Sequence, residues 1–276
     1  MTERSTTGPR TAWFHCFAGT AGDMTLGALI DAGADQAAVA AIVGRLSIDG
    51  YALRFERVQR CGIGATHAVV AVDGHHVDEQ GSGHRPYRVI RELLLGADLP
   101  ARVLDRALRT FAALAAVEGA IHQVAPSDVE FHEVGSVDAI IDVVGSCAAF
   151  EVLGIDRIVC SPIAVGRGTF DAAHGLLPSP APAVVGLLAS RNAPAFGIDV
   201  GSEIATPTGV ALMTALADGF GPLPAMSVEA VGHGAGTMDF PGRPNVVQVV
   251  IGSGTITVAA PTAGPGQPVR LLEVNV

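Results

Sequence analysis

Residues 11–33 read TAWFHCFAGTAGDMTLGALIDAG. The first seven are a short apolar run ending at Ala18-Gly19, the pattern of a buried strand. Residues 23–32 have helical composition, and Gly33 supplies a C-terminal stop. A strand that feeds through a glycine turn into a helix sets the expectation for the rest of the chain. A second helix is predicted over 36–46. Residues 51–59 and 66–72 alternate as two strands joined through Gly62 and Gly64. Helices follow over 87–95 and 101–122, the latter repeating Val103, Ala107, Leu108, Phe111 and Leu114 at helical spacing. Another helix is predicted over 136–153, then a strand over 157–160 and a proline-rich loop over 177–182. Helices over 183–190 and 209–217 precede strands over 227–231 and 246–251. Strands alternating with helices, plus one hairpin, point to an α/β fold with a mixed β-sheet packed with helices.

Residues 73–86 (DGHHVDEQGSGHRP) break every periodicity and read as a polar, histidine-containing insertion loop. The organisation expected is a disordered lead-in over 1–10 and an α/β domain over 11–252. A linker rich in Gly, Pro and Thr follows over 253–276, its last six residues resuming a strand pattern as if a further domain began there. No internal repeat is visible.

The chain has 276 residues, 49% hydrophobic and 16% charged, enough to bury a core without a disulfide or metal staple. All 17 basic residues are arginine. With no lysine, a Walker A loop, a Schiff base and a lysine general base are excluded. A net charge of −10 leaves no cationic surface for nucleic acid. Cys16, Cys61, Cys147 and Cys160 form no CxxC pair and read as small core residues of a reducing compartment. No run reaches 18 apolar residues and no signal peptide is seen, so a cytoplasmic protein without a membrane partner is expected. The sequence does not specify whether it forms a homo-oligomer.

Several loops carry candidate chemistry. Gly19, Thr20 and Gly22 open a helix that begins at Asp23, where free backbone N–H groups suit a phosphate; an ordinary strand-to-helix turn reads equally well. His75, His76 and His84, beside Asp78 and Glu79, suit a borderline metal such as Ni²⁺ or Zn²⁺, or form a solvated loop. His132 and Glu133 precede a helix capped by Ser136, on which Asp138 and Asp142 share one face. That helix has no charge from Val143 to Phe150 and reads as buried nearly all round, so its two carboxylates need a cation, donors or raised pKa values. His174 stands before the rigid LPSPAPA segment. Glu203, Thr206, Thr208 and Gly209 lie ahead of a helix with proline at its first position. His233 lies in GHGAG (residues 232–236), read as a glycine turn.

Taken together, FAGTAGDMTLGALIDAG (17–33), FHEVGSVDAIIDVVG (131–145), HGLLPSPAPA (174–183), EIATPTGVAL (203–212) and GHGAG (232–236) resemble the LarC family of nickel insertion proteins. The resemblance runs from about residue 13 to 252. It implies a CTP-dependent cyclometallase of the lyase class. Such an enzyme inserts nickel into pyridinium bisthiocarboxylic acid mononucleotide, with Ni²⁺ as substrate and CTP, with Mg²⁺ or Mn²⁺, handled by a C-terminal domain on the same or a separate chain. Forming a nickel–carbon bond releases a ring proton, so a base is needed. His132, Glu133, Asp138 and Asp142 are candidates, with Asp23 also placed in the catalytic set. His15, His75, His76, His84, His132 and His174 are the candidate metal ligands. Gly19, Thr20, Gly22, Glu203, Thr206, Thr208, Gly209 and His233 are candidates for holding the substrate and its phosphate. Two departures are visible: the family's dense histidine run is reduced here to His75, His76 and His84, and His15 stands where the family has aspartate. A non-catalytic nickel-delivery module and a metal-dependent phosphoester hydrolase are the competing readings.

Overall fold

The computed structural model describes residues 8–72, 85–131, 134–172 and 175–254. Its first part holds β1 (Thr11–His15), α1 (Gly22–Asp31), α2 (Gln36–Val43), β2 (Tyr51–Arg60) and β3 (Ile63–Val72). Next come β4 (Arg85–Pro86), α3 (Tyr87–Gly96), α4 (Ala101–His122), β5 (Glu130–Phe131) and α5 (Val137–Val152). Then follow β6 (Arg157–Cys160), β7 (Ile163–Val165), β8 (Thr169–Ala172), β9 (Gly175–Pro178), α6 (Pro182–Ser190) and β10 (Ala195–Gly197). The last elements are α7 (Pro207–Leu216), β11 (Gly219–Phe220), β12 (Ser227–Ala235) and β13 (Val246–Ser253).

Seven strands form one mixed sheet in the order β11-β6-β1-β13-β12-β3-β2. β1 runs parallel to β6 and antiparallel to β13, while β12 is antiparallel to β13 and parallel to β3. The chain therefore adopts the mixed α/β fold that its alternation predicts. Side chains alternate between the two faces of a strand, and β1 shows what each face meets. Ala12, Phe14 and Cys16 enter the main core, with Phe14 edge-on to Phe150 of α5 at 5.8 Å between ring centroids. Trp13 turns the other way, into a small cluster with Val159, Met226 and Val250. On the core side α1 and α5 pack together, and α2, α4 and α7 pack against α5. Flanked on so many sides, α5 buries nearly all of its residues from Val137 to Phe150, which is why that stretch tolerates no charge after Asp142.

Three local expectations are corrected. Residues 232–235 are not a turn but the second half of β12. Glycine is required there because α1 crosses the strand at backbone contact: a Cβ on Gly234 would stand 1.7 Å from the Met24 carbonyl oxygen. Gly64 lies inside β3 opposite Gln59, so the hairpin turn is Cys61-Gly62, and Cys61 is exposed rather than in the core. Leu177 and Pro178, expected in a loop, end β9, which pairs with β8. Strands of two to four residues, such as β4, β5 and β7 to β11, are too short for alternation to reveal. Among the described residues no helix is long and apolar enough to cross a membrane.

Candidate functional site

Three helices begin at one place. The first turns of α1, α5 and α7 line a cavity of about 430 Å³, through Gly22 and Asp23, Ser136 and Asp138, and Pro207 and Thr208. Two loops bring α1 and α7 together. The Thr20 N–H donates to the Ile204 carbonyl at 3.0 Å, and the Thr206 N–H donates to the Thr20 carbonyl at 2.9 Å. Thr206 caps α7 by accepting from the Gly209 N–H at 3.3 Å. At Gly209 a Cβ would lie 2.5 Å from the Ala21 backbone, so only glycine lets the two helix starts meet. Gly19, with φ of +98°, faces Ile204 in the same junction. Ser136 occupies the cap position of α5, as expected, but its hydroxyl does not cap the helix.

The charge of the cavity is one-sided. Asp23, Asp138, Asp142 and Glu203 line it together with His67, and among the described residues no arginine does. Three helix N-termini supply partial positive charge that offsets part of this density. Asp142 sits against the start of α1: its carboxylate accepts from the Asp23 N–H, and Gly22 has no side chain where Asp142 Oδ2 passes. Its other oxygen, Oδ1, is sealed from solvent without a hydrogen-bond partner. Burial first, then the charges of Asp23 and Asp138, push the Asp142 carboxyl well above the ordinary carboxylate range, while the Asp23 N–H pulls the other way.

His67 is the polar side chain that sequence reading passed over. It lies in β3, where a single histidine among alanines and valines reads as a core residue. Its Nε2 stands 3.5 Å from Asp23 Oδ2 and 3.5 Å from the Thr237 hydroxyl. With Nε2 carrying the hydrogen towards the aspartate, Nδ1 becomes the lone-pair nitrogen. Of the chain's nine histidines, only His67 and His122 were not singled out from the sequence. His122, at the end of α4, lies 3.3 Å from Glu118 and lines a second cavity of about 300 Å³. Most of that cavity's wall is apolar, including Ile121, Phe170, Leu177 and Pro182. The two cavities share Val134, Glu203 and Pro207.

Among the expected site residues, Gly22, Asp23, Asp138, Asp142, Glu203, Thr206 and Thr208 meet on the first cavity. Gly19, Thr20 and Gly209 form the junction behind it. His15 and His233 are elsewhere. Both are paired in register with Gln248, on the face of the sheet turned away from α1. There His15 stacks between Trp13 and Phe17, and His233 Nε2 lies 3.2 Å from Gln248 Nε2. His75, His76, His84, His132, Glu133 and His174 lie outside the described residues. Among the described residues, no three His, Cys, Asp or Glu side chains are close enough together to enclose a metal ion.

The family described as nickel insertion protein matches residues 12–276. The chain is 44% identical over 266 residues to a pyridinium-3,5-bisthiocarboxylic acid mononucleotide nickel insertion protein of Nocardioides, covering 96% of this chain and 64% of that relative. It is 38% identical over 255 residues to a protein of the same name from Geobacillus kaustophilus, covering 91% of this chain and 62% of that relative. The chain thus spans a little over three fifths of the length of these relatives. No solved structure matches it. The match extends over nearly all of the sequence and takes in each of the segments that meet on the acidic cavity, and on that ground the chain belongs to the nickel insertion protein family.

Proposed function

We propose that this chain holds Ni²⁺ in the acidic cavity while it is transferred to a pyridinium bisthiocarboxylic acid mononucleotide, the substrate in the relatives' names. The observation that carries the reading is the lining itself: among the described residues, four carboxylates and one imidazole with no arginine, in a family of nickel insertion proteins. Such a wall attracts a divalent cation and the positive ring of a pyridinium, and repels a free phosphate. With no three described ligands close enough to enclose an ion, the protein supplies at most two at once from these residues. The remaining coordination positions fall to water and to the sulfur of the substrate's thioacids, which suit nickel. Loose holding of this kind is what a metal that must be handed on requires.

His67 and Asp138 are the proposed holding groups, with Asp23 orienting the imidazole through Nε2. When the metal enters the substrate, the displaced proton goes to an acid–base group of this cavity, Asp23–His67 or Asp142, or to His132 or Glu133 just before Val134 on its wall. The overall step is assigned to the lyase class as a CTP-dependent cyclometallation. CTP with Mg²⁺ or Mn²⁺ is handled by polypeptide corresponding to the rest of the longer relatives.

Equilibrium titration of the tag-free chain with Ni²⁺ tests this. His67→Ala and Asp138→Asn should each weaken binding by about tenfold or more, the usual result of removing one of few ligands. If both variants bind as wild type does, while His75, His76 and His84 changed together to Ala abolish binding, the metal belongs to residues 73–86 and the cavity assignment fails.

A further inference from the structure

The acidic cavity has a neighbour of opposite character, and the two share the wall formed by Val134, Glu203 and Pro207. At about 300 Å³ the neighbour falls at the lower end of small-molecule sites, and like most of them it is apolar with few polar groups. Phe170 of β8 and Leu177 of β9 are directly paired across the hairpin, and both face this space. Ile121 at the end of α4 and Pro182 at the start of α6 close the other sides. Among the described residues, Phe170 is the phenylalanine that lines this cavity, and the aromatic rings of His67 and His122 line one cavity each.

A ligand that spans both spaces must carry a flat apolar portion beside a group that tolerates carboxylates. A cationic heteroaromatic ring meets both demands. Its faces are apolar, it is attracted to the face of a phenylalanine, and its positive charge is compatible with Glu203 on the shared wall. A phosphate meets neither: the acidic cavity repels it and, among the described residues, no arginine lines the apolar one.

Resting on the nickel-transfer reading above, we infer that the apolar cavity is the ring site for a pyridinium mononucleotide. The ring packs against Phe170 and Leu177 with its acid-bearing edge turned to the acidic cavity, where Ni²⁺ held between the acid groups and the wall offsets their charge, and its phosphate left outside both. This differs from the phosphate cradle that the glycine spacing alone proposes. The glycines at that junction are already accounted for by the approach of one backbone to another.

Calorimetric titration of the full chain with nicotinamide mononucleotide, without nickel, tests the assignment. This probe has the pyridinium ring, one uncharged ring carboxamide in place of an acid, and the ribose phosphate. Wild type is expected to bind it with a Kd of about 1 mM or tighter. Leu177→Trp, which fills the cavity, should weaken it by about tenfold or more, and the milder Phe170→Leu by about threefold. Titrating Leu177→Trp with Ni²⁺ reads the acidic cavity separately and is expected to match wild type. Failure of wild type to bind the nucleotide, or equal binding by wild type and both variants, overturns the ring site. Failure of wild type to bind nickel, with the nucleotide results as expected, removes the transfer reading and leaves the ring site standing.

Discussion

The chain treats the histidines of two regions differently. On the face away from α1, His15 stacks on Trp13 and lies tilted against Phe17, and His233 Nε2 lies beside Gln248 Nε2. At the helix starts, Asp142 Oδ1 and the buried Thr20 hydroxyl have no partner, Asp142 feels the charges of Asp23 and Asp138, and Asp23 stands 3.5 Å from His67. Polar groups left unsatisfied in a dry setting cost stability, about 1–3 kcal/mol each. A fold retains such a cost where the groups have another use. The contrast teaches that residue type alone does not find the site; what distinguishes it is that carboxylates from separate segments gather on one cavity with an imidazole.

The sharpest way to break this contrast is to move α1. Gly234→Ala would place a methyl against the Met24 carbonyl, where neither backbone can yield without separating helix from sheet. A loss of about 3 kcal/mol or more in unfolding free energy is expected, at the upper end of overpacking costs. Nickel binding should fall with it, because Asp23 rides on the displaced end of α1. Chemical denaturation together with nickel titration measures both. Stability within about 0.5 kcal/mol of wild type would mean that α1 does not lie on β12 as described.

A smaller effect is expected from Asp142. Its proton is held more tightly in the folded chain than in the unfolded one, so the stability this proton contributes is fully present below the ordinary value of 3.8 and is lost as pH rises through the folded value. Asp142→Asn mimics the protonated side chain and still accepts from the Asp23 N–H. The variant should therefore match wild type near pH 4 and exceed it at neutral pH. The difference grows by at most about 1.4 kcal/mol per pH unit, the limit for one proton. Thermal melts of both proteins across that range decide it. A constant difference would mean that Asp142 is ionised throughout.

These two residues also show how much was legible beforehand. Asp138 and Asp142 were placed on one helix face by spacing, and the absence of charge after them correctly announced a buried helix. The convergence of α1 and α7 on that helix was not legible. It depends on Thr20 pairing with Ala205, far away in sequence, and on Gly209 allowing backbone contact. His67 was missed for a related reason: its meaning lies in Asp23 and Thr237, which come from two other segments, while most of its own strand is alanine and valine. Gly232 and Gly234 were misread because glycine signals freedom to turn as readily as it signals close approach, and sequence does not say which. Residues 101–122 and 157–160, by contrast, matched their predicted bounds, since α4 has six turns of periodicity and β6 is bounded by breakers.

The smallest expected effect tests the quiet face. His15→Phe keeps the stack between Trp13 and Phe17, and His233→Gln keeps a polar group beside Gln248. Each should change stability by no more than about 0.5 kcal/mol, as surface substitutions without a lost packing or charge partner do. Neither should alter nickel affinity if the metal stays on the helix side. His15 is nevertheless one of the metal ligands that the resemblance to the LarC family led us to expect, so its substitution is informative in both directions. Loss of nickel binding in His15→Phe, with stability intact, would carry the metal through the sheet to the row formed by His15, Gln248 and His233. The unpartnered groups at the helix starts would then need a different explanation, and the asymmetry between the two regions would no longer locate the site.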